Sequence, residues 1–168
     1  EIMSESLNDD DKNEYTNNEI WITPTEEIVN WRQECMKGNM MPGIQMLELK
    51  KININDIVNP GNGNTLLHYA ANFGFYNVIR ALLEVYNADI NKPNYYGYTP
   101  LYYIVSNTDV NAINFQYMIR IKDLNLNVVD MNGLSILVHS IIAKFQYAFL
   151  YFSNLGLIDN HKNDNHNN

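Results

Sequence analysis

The residues of this chain able to do acid–base, nucleophilic or metal chemistry are few and scattered. Four histidines are present, His68, His139, His161 and His166, with a single cysteine, Cys35. No cysteine pair has zinc-ligand spacing. His161 and His166 alternate with Asp159 and Asp164 in an Asn-rich polar stretch, a composition expected of a solvated tail rather than a metal site. Ser140 follows His139 inside an apolar run and lacks the strand–turn–helix context that exposes a nucleophilic serine. Gly61-Asn62-Gly63 has no Lys-Ser/Thr after it, so it reads as a turn and not as a phosphate cradle. Cys35 is expected to be a small buried apolar residue. These patterns predict no catalytic residue, no metal site and no cofactor.

Charge narrows the class further. The net charge is −8, and residues 1–27 hold nine acidic residues against Lys12 alone. The rest of the chain is balanced, with no basic stripe to neutralise phosphates, so nucleic acid is not an expected partner. No apolar run reaches the 18 or so residues of a membrane span. A lone cysteine cannot staple a fold, which points to a reducing, intracellular setting, the cytoplasm. The first residue is Glu1, so a segment of a longer protein is expected. Residues 1–19 read as an acidic flexible leader and 160–168 as a polar low-complexity tail.

Between these ends the sequence repeats. Gly63-Asn64-Thr65-Leu66-Leu67-His68-Tyr69-Ala70-Ala71 is followed by Gly97-Tyr98-Thr99-Pro100-Leu101-Tyr102, and then by Gly133-Leu134-Ser135-Ile136-Leu137-Val138. The glycines stand 34 and 36 residues apart. Val78-Ile79-Arg80-Ala81-Leu82-Leu83 leads into Asn87-Ala88-Asp89-Ile90-Asn91, and Met118-Ile119 into Asp123-Leu124-Asn125-Leu126-Asn127. The chemistry of each unit is that of a helix hairpin. Turn glycines permit positive φ. Thr65, Thr99 and Ser135 are expected to cap the first helix through their side-chain oxygens. Pro100 suits a first helical position. Gly74 and Asn87 suit helix ends. Apolar spacing marks one buried stripe per helix, with Ala70 and Ala71 allowing close approach. An earlier unit begins at Thr23-Pro24-Thr25-Glu26, a capping-box pattern, with Ile28, Trp31, Cys35, Ile44 and Leu47 inward.

These motifs resemble the ankyrin repeat, and the resemblance covers roughly residues 24–159. The 63–91 unit matches best, at Gly63, Thr65, Leu67, His68, Ala70, Ala71, Gly74, Val78, Leu82, Leu83, Ala88, Asp89 and Asn91. The resemblance implies an all-α repeat, an α-solenoid: about four helix-turn-helix units joined by β-hairpin loops, at about 23–58, 59–93, 94–129 and 130–159. His68 is then a repeat-stabilising hydrogen bonder beside Thr65. Asn91 and Asn127 occupy a hairpin position that is hydroxylated in some relatives, with no visible dependence on the fold.

The resemblance also implies a non-catalytic protein–protein interaction module, a scaffold or adaptor. Alternatives are a regulatory or substrate-recruiting domain of a larger enzyme, such as an ankyrin-bearing palmitoyltransferase, or a microbial effector acting on host proteins. The partner is expected to be another protein. The expected partner-binding residues are Phe73, Tyr95, Tyr96, Tyr98 and Met131 around the second turn, with Asn62, Asn64 and Asn132. Aromatic side chains at a turn tip serve no folding need and resemble interaction hot spots. The helix over Phe145–Phe152 is apolar nearly all round, which points to further repeats or to self-association.

Overall fold

The computed structural model describes residues 24–107 and 112–156. The leader at 1–19, the tail at 160–168, Thr23 of the capping-box pattern and the Ile28 side chain lie outside what is described. Eight helices follow one another: α1 (Pro24–Met36), α2 (Met41–Glu48), α3 (Leu66–Phe73), α4 (Tyr76–Glu84), α5 (Pro100–Ser106), α6 (Ala112–Met118), α7 (Ile136–Ile142) and α8 (Gln146–Asn154). They pair as α1–α2, α3–α4, α5–α6 and α7–α8, and the first helices stack in a row, α1 on α3, α3 on α5 and α5 on α7. This is an all-α repeat stack.

α3 shows why the stack needs its neighbours. All six residues from Leu66 to Ala71 are buried, so no face is left for water. One helix cannot bury itself on every side; α1, α4 and α5 do so. α4 is an outer helix. Ile79 and Leu82 are fully buried, while Arg80 reaches Glu84 on the solvent face at 2.9–3.0 Å. That exposed pair adds only a few tenths of a kcal/mol, so burial holds α4 in place. Gly74 and Asn87 both take positive φ where their helices end, at 72° and 55°.

Two expectations about local structure change. The loops between pairs carry single antiparallel bridges, Asn59 with Asn64 and Val129 with Ser135, and no strands are formed among the described residues. Of the three expected caps, Ser135 accepts from Val138 N through its side chain at 3.4 Å, and Thr65 shares a reciprocal capping box with His68. Thr99 has the extended cap backbone without a side-chain bond. At Thr65 the third helical residue works in reverse: His68 Nδ1 accepts from Thr65 N–H at 3.1 Å and stands 2.9 Å from Thr65 Oγ1. The functional reading of Cys35 closes here too. It is fully buried, and burial pushes its thiol up to about 11, so it packs and does not react.

Polar ladders tie successive pairs together. His68 Nε2 donates to Tyr98 O at 3.0 Å. Tyr102 stands at the position of His68 in the next unit, and its hydroxyl donates to Leu134 O at 2.9 Å. A tyrosine thus does there what a histidine does one layer earlier. On the other side of the turns, Asn55 Oδ1 accepts from Asp89 N at 2.9 Å and Asn91 Oδ1 from Asn125 N at 2.8 Å. Asn91 Nδ2 also donates to Asp123 O, at 2.6 Å. The view that Asn91 has no structural dependence is therefore corrected: both ends of its amide bind the next unit.

Candidate partner-binding surface

The turns that project from the stack are built by their own side chains. Asn94 Oδ1 accepts from Tyr96 N and Tyr98 N at 2.9 and 3.0 Å. Asp130, 36 residues on, does the same for Asn132 N and Leu134 N at 2.8 and 2.9 Å. Pro60 holds this place in the earlier turn, where Asn59 and Asn62 substitute, accepting from Gly61 N and Asn64 N. A short acceptor three residues before the turn glycine was the signal that sequence reasoning missed.

The turns are then fastened edge to edge. Tyr95 N donates to Asn62 O, and Met131 N donates to Tyr96 O, each at 2.9 Å. Glycine is required where they touch. A Cβ on Gly97, whose φ is +81°, would stand 2.9 Å from the Asp130 backbone.

This construction separates the eight expected contact residues into three groups. Tyr95, Tyr96 and Met131 lie outward on adjacent turns, 59%, 43% and 67% exposed. Asn132 is exposed beside Met131, and Asn62 is half-buried beside Tyr95. Tyr95 also borders a shallow depression of about 580 Å³ shared with Arg32, Asp56 and Lys92. Tyr98 is not at the tip. It is half-buried on the inner side, stacked on Tyr102 with centroids 5.3 Å apart and meeting Tyr103 and His139 edge-on. Asn64 is withdrawn altogether. It is buried, with Nδ2 3.0 Å from the Tyr103 hydroxyl and Oδ1 accepting from Asn94 Nδ2 at 2.8 Å. Phe73 leaves the patch as well. It stacks between Tyr69 and Phe75 and rests on Gly38.

A second surface forms where Tyr98 turns inward. Tyr98, Tyr102, Tyr103 and His139 line a cavity of about 260 Å³, with Asn72 and Ser106 at its edge. His139 Nε2 lies 2.9 Å from Asp130 Oδ2, and the Asp130 side chain has no exposed surface. Burial raises the Asp130 pKa, but its bonds from Leu134 N, His139 and Asn132 N outweigh that and hold it below the usual 3.8. The carboxylate is therefore ionised behind the ring. Burial raises the Tyr102 and Tyr103 hydroxyls, so both remain protonated donors at neutral pH.

Stacked helix pairs, turns fastened at a fixed repeat, and ladder bonds about 34 residues apart are matched by the family model of ankyrin repeats (3 copies), over residues 33–116. The chain belongs to the ankyrin-repeat family. Ankyrin repeats make it a protein–protein interaction module. Human Rabankyrin-5 is 32% identical over 74 residues, a stretch of 44% of this chain and 6% of that protein. The chain therefore spans only a small part of this relative. Among the described residues, no helix is long and apolar enough to cross a membrane, and no three His, Cys, Asp or Glu side chains are grouped to hold a metal.

Proposed function

We propose that this ankyrin stack is a non-catalytic adaptor in the cytoplasm, and that it grips its partner protein with the turn tips carrying Tyr95, Tyr96 and Met131. The observation that supports this is the exposure of three large side chains on two adjacent turns locked together by the Met131 N–Tyr96 O bond. Aromatic rings held on a rigid backbone bury much area at little conformational cost, which is what an interaction hot spot requires. Asn62 and Asn132 flank them with amide groups suited to a polar rim.

The test replaces Tyr95, Tyr96 and Met131 together by Ala and follows partner capture by proximity labelling, then affinity on the captured protein. Affinity is expected to fall by tenfold or more, about 1.4 kcal/mol at the least. Because the three side chains lie largely outside the core, the melting temperature should move by less than about 3 °C. Full capture by the triple variant would overturn the assignment.

A further inference from the structure

The inner cavity differs in chemistry from the exposed tips. Its walls are the rings of Tyr98, Tyr102, Tyr103 and His139, and its edge is uncharged, from Asn72 and Ser106. None of the lining residues is a lysine or arginine. The Asp130 carboxylate, fully buried, lies 2.9 Å from His139 Nε2, behind one of the lining rings. Aromatic faces carry negative potential, and a carboxylate behind them adds to it, so the cavity favours a cation and repels an anion. Size narrows the choice. About 260 Å³ falls short of the roughly 300–1,000 Å³ of sites for small organic ligands, and suits a single long side chain. Tyr98 stacks on Tyr102 only 26° from parallel, and with Tyr102 2% exposed it is the half-buried Tyr98 ring whose other face suits a flat cationic head. A guanidinium is flat and weakly hydrated, whereas an ammonium is compact and strongly hydrated.

We propose that this cavity receives one arginine side chain of the partner protein, stacked on the tyrosines and balanced by Asp130. The proposal deepens the adaptor reading and rests on it, since it assumes that a partner segment crosses the inner face.

The probe is Nα-acetyl-arginine methylamide, titrated into the 168-residue chain and followed by NMR, with the lysine, citrulline and glutamate analogues alongside. The arginine probe is expected to shift Tyr98, Tyr103, Ser106 and His139 and to saturate. Lysine and uncharged citrulline should bind about threefold to tenfold more weakly, and glutamate should not bind. Asp130→Asn isolates the charge. Asn94 already performs the same amide-holding task one unit earlier, so the turn should survive. In that variant arginine binding should weaken toward that of citrulline, with citrulline unchanged. Ser106→Trp, at an exposed position, should block every probe. Equal binding of citrulline or lysine, binding of glutamate, shifts elsewhere, or arginine binding unaffected by Ser106→Trp would each overturn the proposal. The two readings fail separately. Loss of partner capture in the tip variant without arginine binding sinks only the cavity; arginine binding with unaltered capture in the tip variant sinks only the tips.

Discussion

Replacing His68 by Ala should lower stability by about 3 kcal/mol and the melting temperature by roughly 10 °C. The side chain is fully buried and bonded at both nitrogens. Tyr98 O can only accept, so Nε2 carries the proton; Thr65 N–H can only donate, so Nδ1 is the acceptor. Removal strands a buried amide in one unit and a carbonyl in the next, and leaves a void between them. The same geometry sets a pH dependence. Burial drives the His68 pKa from 6.5 down to about 4, outweighing the bond to the Tyr98 carbonyl, which favours the charged ring. In the unfolded chain the ring protonates near 6.5. Below that pH the unfolded state binds the extra proton, so acid favours unfolding. The contribution of neutral His68 is complete above pH 6.5 and drains away as pH falls toward 4, by about 3 kcal/mol. Asp130, held below 3.8, loses its contribution only at still lower pH. Denaturant titrations at pH 7 and pH 4.5 should show a steep loss for the natural chain and a flatter one for His68→Ala. An equal slope in both would rule out His68 as the source.

The helices were legible because their apolar spacing has a period and their ends have chemical markers. Leu67, Ala70 and Ala71 mark the buried face of α3, and Gly74 and Asn87 mark two of the stops; the helices over 66–73 and 76–84 follow directly. The turns have no such period. Each is a few residues long, and the way its side chains point depends on which acceptor gathers the amides. Asn94 draws in the Tyr98 amide, and Tyr98 then stacks on Tyr102 inside the fold while its ring still meets Tyr96 at 6.1 Å. Asn64, the residue after a turn glycine and so expected at the surface, instead completes a buried set with Asn94 and Tyr103 through its amide. Tyrosine is ambiguous in the same way, since ring and hydroxyl suit both interior and surface. Tyr102 shows the consequence. It stands where the preceding unit has His68, and in space it keeps the bond that the histidine makes. The 36-residue spacing of Asn94 and Asp130 matches that of Gly97 and Gly133, so their shared role in the turns is readable from sequence.

The sharpest test of the stack is a pair of glycines with one backbone conformation and different surroundings. Gly97 and Gly133 have φ of +81° and +76°. An alanine at either bears the left-handed strain, about 1 kcal/mol. At Gly133 nothing lies within 4 Å of the new methyl, so the cost should end there. At Gly97 the methyl would meet Asp130 Cα at 2.9 Å, and the Asp130 carbonyl carbon and Met131 N at 3.1 Å. Backbone cannot rotate aside as a side chain can, so the two turns must part. Parting weakens the Met131 N–Tyr96 O bond and tilts the Asp130 carboxylate that holds the next turn. Gly97→Ala should therefore cost about 3 kcal/mol, and Gly133→Ala about 1 kcal/mol. Hydrogen exchange supplies the local readout: the Met131 amide should lose protection in Gly97→Ala and keep it in Gly133→Ala. Equal stabilities for the two variants would mean that the turns do not press on one another, and that the outward placement of Tyr95, Tyr96 and Met131 is not enforced by the stack.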